Sequence, residues 1–226
     1  MLINKGAHTQ GEFYVPRLVD EKIEEYALAH STPEHALFKE LRDETYANME
    51  CPQMIAGHLV GSFLQMMIRS SGAKRIVEVG TFTGYSSMKM AEVLPEDGEL
   101  ITLEYDPKHA DMARRYFQRC PWGDKITLMQ GPALESLPQI KGPIDLSFID
   151  ADKVNYMNYY NHLVEITRPG GFIMLDNALW SGAVLEPVEE SDHALARMNE
   201  LVFDDPRVHN LLLPVRDGIM IAQKHA

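Results

Sequence analysis

The chain has 226 residues, of which 45% are hydrophobic and 24% charged, with a formal net charge of -12. That size and composition suit one α/β domain with a sizeable core. The acidity argues against nucleic acid as a partner, because phosphate binding needs clustered Lys and Arg.

In chain order, residues 1–16 are polar without a clear period and read as a tail or a lid. Residues 17–70 read as N-terminal helices. Val19, Ile23 and Tyr26 share one helical face. Thr32-Pro33 predicts the start of a second helix reaching about Asn48. Pro52 opens a third, through Leu59, Phe63, Met67 and Ile68. Residues 74–226 read as an α/β core. Strands are expected at 76–79, 100–105, 125–130, 144–149 and 172–175, with helices at 87–94, 107–119 and 154–167 between them. Arg168-Pro169-Gly170-Gly171 reads as a turn, Met198 to Phe203 as part of a last helix, and 208–213 with 218–222 as a closing hairpin. Alternating strands and helices predict a mostly parallel sheet covered on both faces. No stretch approaches about 18 apolar residues, so no membrane segment is expected. The start of the chain carries no secretory pattern. Cys51 and Cys120 read as free thiols, so a cytoplasmic protein is expected.

The most informative stretch runs from Ile76 to Ser86. A β-branched strand breaks at Gly80-Thr81-Phe82-Thr83-Gly84 and gives way to helical spacing. A strand, a Gly-rich turn and a helix bring backbone N–H groups against a nucleotide-like ligand. The spacing is Gly-x-x-x-Gly, not the Gly-x-Gly-x-x-Gly of pyrophosphate binders. Glu78 at the strand end would repel a pyrophosphate and welcome an amine. Glu104, twenty residues past Gly84, ends the second strand and can accept both ribose hydroxyls. An adenosine with a charged amino-acid tail satisfies both acids, which points to S-adenosylmethionine.

The second constellation is Asp150-Ala151-Asp152-Lys153 with Asp176-Asn177. Carboxylates and an amide oxygen from neighbouring strand ends make a hard oxygen site that suits a divalent cation, Mg²⁺ first, Ca²⁺ or Mn²⁺ next. Such a site can take two adjacent oxygens of a catechol and lower the pKa of a bound hydroxyl. Lys153 sits close enough in sequence to take the phenolic proton. Taken singly, Asp152 also reads as a helix cap, Lys153 as a surface charge and Asp176-Asn177 as a turn.

These stretches resemble the cation-dependent O-methyltransferases, the family of the plant caffeoyl-CoA enzymes and, more distantly, animal catechol O-methyltransferase, with this chain of the bacterial type. The matching segments are Val77-Glu78-Val79-Gly80, Thr83-Gly84-Tyr85-Ser86, Gly131-Pro132-Ala133-Leu134, Phe148 to Lys153 with Asn155-Tyr156, Asp176-Asn177 with Leu179-Trp180, Leu213-Pro214-Val215, and Asp217-Gly218-Ile219. The resemblance implies a Rossmann-like, seven-stranded S-adenosylmethionine-dependent methyltransferase sheet with its last strand antiparallel, in one domain over 1–226, and a homodimer. It implies metal ligation by Asp150, Asp176 and Asn177, and catalytic roles for Lys153 as base and Asp150. It implies cofactor contacts at Glu78, Gly80, Thr81, Tyr85, Ser86, Glu104, Ala133, Asp150 and Asp152. Ala56 replaces a hydroxyl residue that touches the cofactor, which leaves only a backbone contact there. Trp180 and Ser181 correspond to the substrate wall, Ser181 where an Asn is usual. Trp180 and Tyr85 either wall an aromatic ring or simply pack. Glu186, Glu189, Glu190 and Asp192 make an acidic loop that would repel CoA phosphates.

The expected reaction is metal-dependent methyl transfer from S-adenosylmethionine to a hydroxyl of a small catechol-type aromatic substrate, a class that extends to caffeoyl esters. The alternatives are a nicotinamide-dependent oxidoreductase on a similar sheet and a non-catalytic cofactor-binding protein.

Overall fold

The computed structural model describes residues 19–226. The expected tail or lid at 1–16 lies outside the described residues. Three helices come first: α1 (Glu21–Ala29), α2 (Ala36–Asn48) and α3 (Gly57–Ser71). The α/β part follows as β1 (Arg75–Val79), α4 (Tyr85–Ala91), β2 (Glu99–Glu104), α5 (Pro107–Arg119), β3 (Ile126–Gln130), α6 (Ala133–Ser136), β4 (Ile144–Ile149), α7 (Tyr156–Ile166), β5 (Thr167–Leu175), α8 (Glu190–Phe203), β6 (Val208–Leu213) and β7 (Ile219–Lys224).

The seven strands form one sheet in the order β3-β2-β1-β4-β5-β7-β6. Strands β1 to β5 pair in parallel. The last strand, β7, runs antiparallel to both neighbours, β5 and β6. The chain reverses direction of travel across the sheet after β3, so β1 and β4 lie side by side. Ligands in such sheets bind beyond the C-terminal strand ends at this switch point.

Strand alternation explains the two layers. Val77 and Val79 face the side of α7 and α8, among Leu163, Val164, Leu195 and Met198. Ile76, Leu100, Leu146 and Phe148 share a cluster with Val60, Leu64 and Ile68 of α3. A smaller cluster joins Leu37, Phe38 and Leu41 of α2 to Tyr85 and Met88 of α4 and to Met112 and Phe117 of α5. Each fully buried Leu or Phe contributes roughly 1.5–3 kcal/mol relative to exposure.

Several boundaries differ from the sequence reading. Helix α2 is capped by His35, whose ring nitrogen accepts from Leu37 N at 3.2 Å, and not by Thr32-Pro33. Pro52 opens only a short 3-10 turn, Pro52–Met54, ahead of α3. The segment read as a turn, 168–171, belongs to β5, which pairs with β4 through a register shift. Helix α8 is longer than its apolar end suggested. Asp192 accepts from the backbone N–H groups of Val188 and Glu189 at its start, so part of the acidic loop serves as a helix cap. The apolar residues of α1 are not buried: Ile23 is 61% and Tyr26 65% exposed.

Candidate active site

The turn after β1 is fixed by backbone packing. Gly80 has φ +99°, and a Cβ there would stand 1.9 Å from the Asp150 carbonyl oxygen. Gly80 N and Thr81 N both donate to Leu103 O, at 3.0 and 3.1 Å. The Thr81 hydroxyl is 2.6 Å from the Thr102 hydroxyl. Gly84 then caps α4, beginning the helix at Tyr85, two residues earlier than its apolar spacing indicated.

A cavity of about 1150 Å³ opens over these strand ends. Ala56, Gly80, Thr81, Tyr85, Ser86, Glu104, Ala133, Asp150, Asp152, Lys153, Asp176, Asn177, Trp180 and Ser181 all line it. Of the residues singled out in the sequence, Glu78 alone is absent from the lining. It is fully buried. Its Oε2 accepts from the Ser87 hydroxyl and from Thr102 at 2.6 Å, while Oε1 has no partner. Burial pushes its carboxyl up to about 7, against the opposing pull of the Ser86, Ser87 and Thr102 hydroxyls.

Glu104 sits where an acid at the tip of β2 should. Its two oxygens accept from Phe82 N at 2.7 Å and Asp106 N at 2.9 Å. These bonds orient the carboxylate and leave further lone pairs for a ribose. His109 stands 3.5 Å away, and its bond to Glu104 raises the imidazole pKa. Phe82 packs edge-on against the His109 ring. The sequence reading assigned nothing to Phe82 or His109. The Phe82 position between Thr81 and Thr83 of the turn was the available signal. His109 had none, since its place beside Glu104 depends on where α5 docks.

The second half of the site centres on Lys153. Its ammonium donates to Tyr156 at 2.6 Å, Asn177 Oδ1 at 2.7 Å and Asp150 Oδ1 at 3.1 Å. It also lies 5.6 Å from the Trp180 ring centre. Asp176 is 4% exposed, and its Oδ1 accepts from Asn177 N at 2.9 Å. Burial first, then the charge of Asp150, pushes the Asp176 carboxyl up. Asn177 takes φ +57°, and its amide donates to Asp217 at 3.2 Å. Asp217 also accepts from Ser181 N, tying the β6–β7 loop to the wall of the cavity. Asp152 stands at the N-cap position of the 3-10 turn Lys153–Asn155, but its side chain makes no cap hydrogen bond and accepts instead from Tyr159 and Asn155, both at 2.5 Å. Tyr85 is 2% exposed and its hydroxyl donates to Glu34 at 2.6 Å. Its ring is a packed wall against Phe38. Glu34 has no signal in the sequence and Asp217 appears there only as part of a matching segment, without a role, because both act through contacts distant in sequence.

Among the described residues, no group of three His, Cys, Asp or Glu side chains could hold a metal ion. The candidate donor set is of another kind: two carboxylates and one carboxamide. That chemistry fits a hard divalent cation, which takes few protein oxygens and leaves positions open. The Lys153 ammonium already bridges two of the three donors, a positive charge held where the set would hold one.

A mostly parallel sheet with a Gly-rich turn at its switch point and an acid on the next strand defines a nucleoside-cofactor enzyme of the α/β class. The profile of the O-methyltransferase family matches residues 28–225. Caffeoyl-CoA O-methyltransferase 1 from Eucalyptus globulus is 35% identical over 177 residues, 73% of this chain and 72% of its own. An O-methyltransferase from Bacillus cereus, solved with S-adenosylhomocysteine, superposes with TM-score 0.83 at 31% identity, covering 90% of this chain and 97% of its own. The O-methyltransferase TomG from Streptomyces achromogenes, involved in tomaymycin synthesis and solved with S-adenosylmethionine, gives 0.85 at 25% identity, covering 91% of this chain and 96% of its own. The chain belongs to the O-methyltransferase family, the one its motifs resemble, and is an S-adenosylmethionine-dependent O-methyltransferase. The nicotinamide and non-catalytic alternatives fall with that assignment.

Proposed function

We propose that this enzyme methylates one hydroxyl of a small catechol-type aromatic substrate, with a divalent cation held by Asp150, Asp176 and Asn177. The observation that carries the reading is the Lys153 ammonium within 3.1 Å of Asp150 and 2.7 Å of Asn177, at the end of the cavity lined by Trp180 and Ser181. A cation in that donor set supplies Lewis acidity toward two vicinal oxygens.

The protein's own groups do the rest. Glu104, fixed by two backbone donors, orients the nucleoside by its ribose. Glu78, with one oxygen unpartnered, favours the positive end of the cofactor. Asp152 and the backbone of Ala56 border the amino-acid tail. Trp180 and Ser181 hold the ring, and positioning of the acceptor oxygen supplies much of the acceleration. Lys153 takes the hydroxyl proton at Nζ as the neutral amine, once its ammonium has given up a proton, a loss that a cation among the same oxygens would favour. Caffeoyl esters stand as the wider substrate class, on the likeness to the caffeoyl-CoA enzymes. We further propose a cytoplasmic homodimer. No helix among the described residues is long and apolar enough to cross a membrane.

The test is a panel of vicinal diols with S-adenosylmethionine, with and without a chelator, with the methylated position read by NMR. Turnover of catechols that stops on chelation is the expected result. Turnover that a chelator leaves intact removes the cation, and a panel without any methylated diol removes the substrate class.

A further inference from the structure

The loop between β6 and β7 carries a residue that the family motifs skip. Arg216 interrupts the matching segments Leu213-Pro214-Val215 and Asp217-Gly218-Ile219. Its backbone has φ +50°, a conformation that side-chain-bearing residues rarely take. Such outliers concentrate at binding sites, where the surroundings hold them in place. Here the adjacent Asp217 pins the turn through Ser181 N and the Asn177 amide.

The side chain lines the active-site cavity. Among the described residues it has no ion pair, and its single hydrogen bond is a long one, Nη1 to Ala56 O at 3.3 Å. A guanidinium has five N–H donors in a planar fork, so most of its capacity is unused. Lys153, by contrast, has spent its three donors inside the protein. The opposite wall leaves room for the guanidinium: a Cβ on Gly57 would lie 2.3 Å from Arg216 Nη1. A long cation in a strained turn, given space and with no carboxylate in ion-pair contact among the described residues, is arranged to meet an anion that arrives with a ligand.

We propose that Arg216 binds a carboxylate inside the active-site cavity, borne either by the amino-acid tail of the cofactor or by an acidic catechol substrate. This rests on the methyl-transfer reading of the cavity. The fork geometry suits the two oxygens of a carboxylate, and a neutral analogue of either ligand leaves it unsatisfied.

Two matched pairs of probes test it by calorimetry. The first pair is S-adenosylhomocysteine and its decarboxylated analogue. The second is protocatechuate and protocatechualdehyde, each offered to the nucleoside-loaded protein. Arg216→Gly suits the test because glycine accepts the positive φ without strain. The expected result is about a tenfold loss of affinity for the acid member of one pair, the scale of one charged hydrogen bond, with the neutral member unchanged. Loss in the nucleoside pair assigns the cofactor carboxylate, and loss in the catechol pair assigns the substrate. Arg216→Lys should recover part of it. Equal effects on both members of each pair, no effect on any, or no binding of any probe by the wild-type protein overturns the proposal. Failure of the methyl-transfer reading shows elsewhere, as wild-type protein that does not methylate protocatechualdehyde.

Discussion

Gly80 and Asp150 meet backbone to backbone, with 1.9 Å between the Asp150 carbonyl oxygen and the place a Gly80 Cβ would occupy. Asp150 N also donates to Val79 O at 2.8 Å. The cofactor turn and the strand that presents Asp150 are therefore one unit. Gly80→Ala must push that strand end away or leave φ +99°. The expected cost is about 2 kcal/mol or more in urea unfolding, from overpacking and strain together. Weaker S-adenosylhomocysteine binding and slower turnover should follow. An alanine variant with wild-type stability and affinity would mean that the contact is slack.

Lys153 bonds to Asp150 after β4, to Asn177 after β5 and to Tyr156 at the start of α7. Lys153→Met keeps much of the bulk and removes the proton acceptor. We expect kcat to fall by about 10² or more, the usual range for a lost acid–base group. The affinity for S-adenosylhomocysteine should hold, because Glu104 and the Gly80 turn are untouched. A variant that keeps the wild-type kcat and pH–rate profile would reduce Lys153 to an ion-pair partner of Asp150.

Much of the fold could be read from the sequence because the β-branched runs at Ile76, Leu100 and Ile144 are short, apolar and bounded by turns. The acids at their ends, Glu104 and Asp150, then follow from where parallel strands stop. What could not be read depends on contacts far apart in sequence. Arg168-Pro169-Gly170-Gly171 falls within the span of β5, yet the β4 register jumps from Ile144↔Thr167 to Leu146↔Phe172 and Gly170 takes φ +73°, so the turn residues leave the ladder and the strand's true start at Thr167 is what the sequence hides. Tyr85 reads equally as a ring wall or as packing; it lines the cavity, and what the sequence hides is that Glu34, 51 residues away, holds its hydroxyl. The alternation in β1 that sets Glu78 on the face of Ile76 is local and legible; that the cavity lining stops short of it, with Oε1 left unpartnered, is not. Arg216 was passed over because it interrupts a motif.

Cation binding can be read without catalysis. Asp150, Asp176 and Asn177 together predict that Mg²⁺ raises the melting temperature of the protein. At a concentration 100 times Kd the stabilisation is about 2.7 kcal/mol, a rise of several degrees for a chain of this length. Asp176→Asn should abolish the rise, since it removes one of two carboxylates from the donor set. Thermal unfolding with and without Mg²⁺ measures both. Identical shifts in the two proteins would place the cation elsewhere.

Glu78 predicts a distinctive dependence of stability on pH in the ligand-free protein. Its carboxyl is raised from an ordinary 4.5 to about 7 by burial. Between those values the folded protein keeps a proton that the unfolded chain has lost. Stability therefore falls as pH rises through that window, by on the order of 3 kcal/mol for this group alone. Glu78→Gln is neutral throughout and removes this contribution. The variant should gain on the wild type as pH rises, with the gain complete above about pH 7. A positively charged ligand favours the ionised form, so wild-type affinity for S-adenosylmethionine should strengthen over the same window while the variant's stays flat. Urea unfolding at about pH 5 and about pH 8, with calorimetry of the cofactor at both, gives the comparison. Stability curves for the two proteins that run parallel across that range would show that Glu78 is ionised in the fold and that its unpartnered oxygen is satisfied some other way.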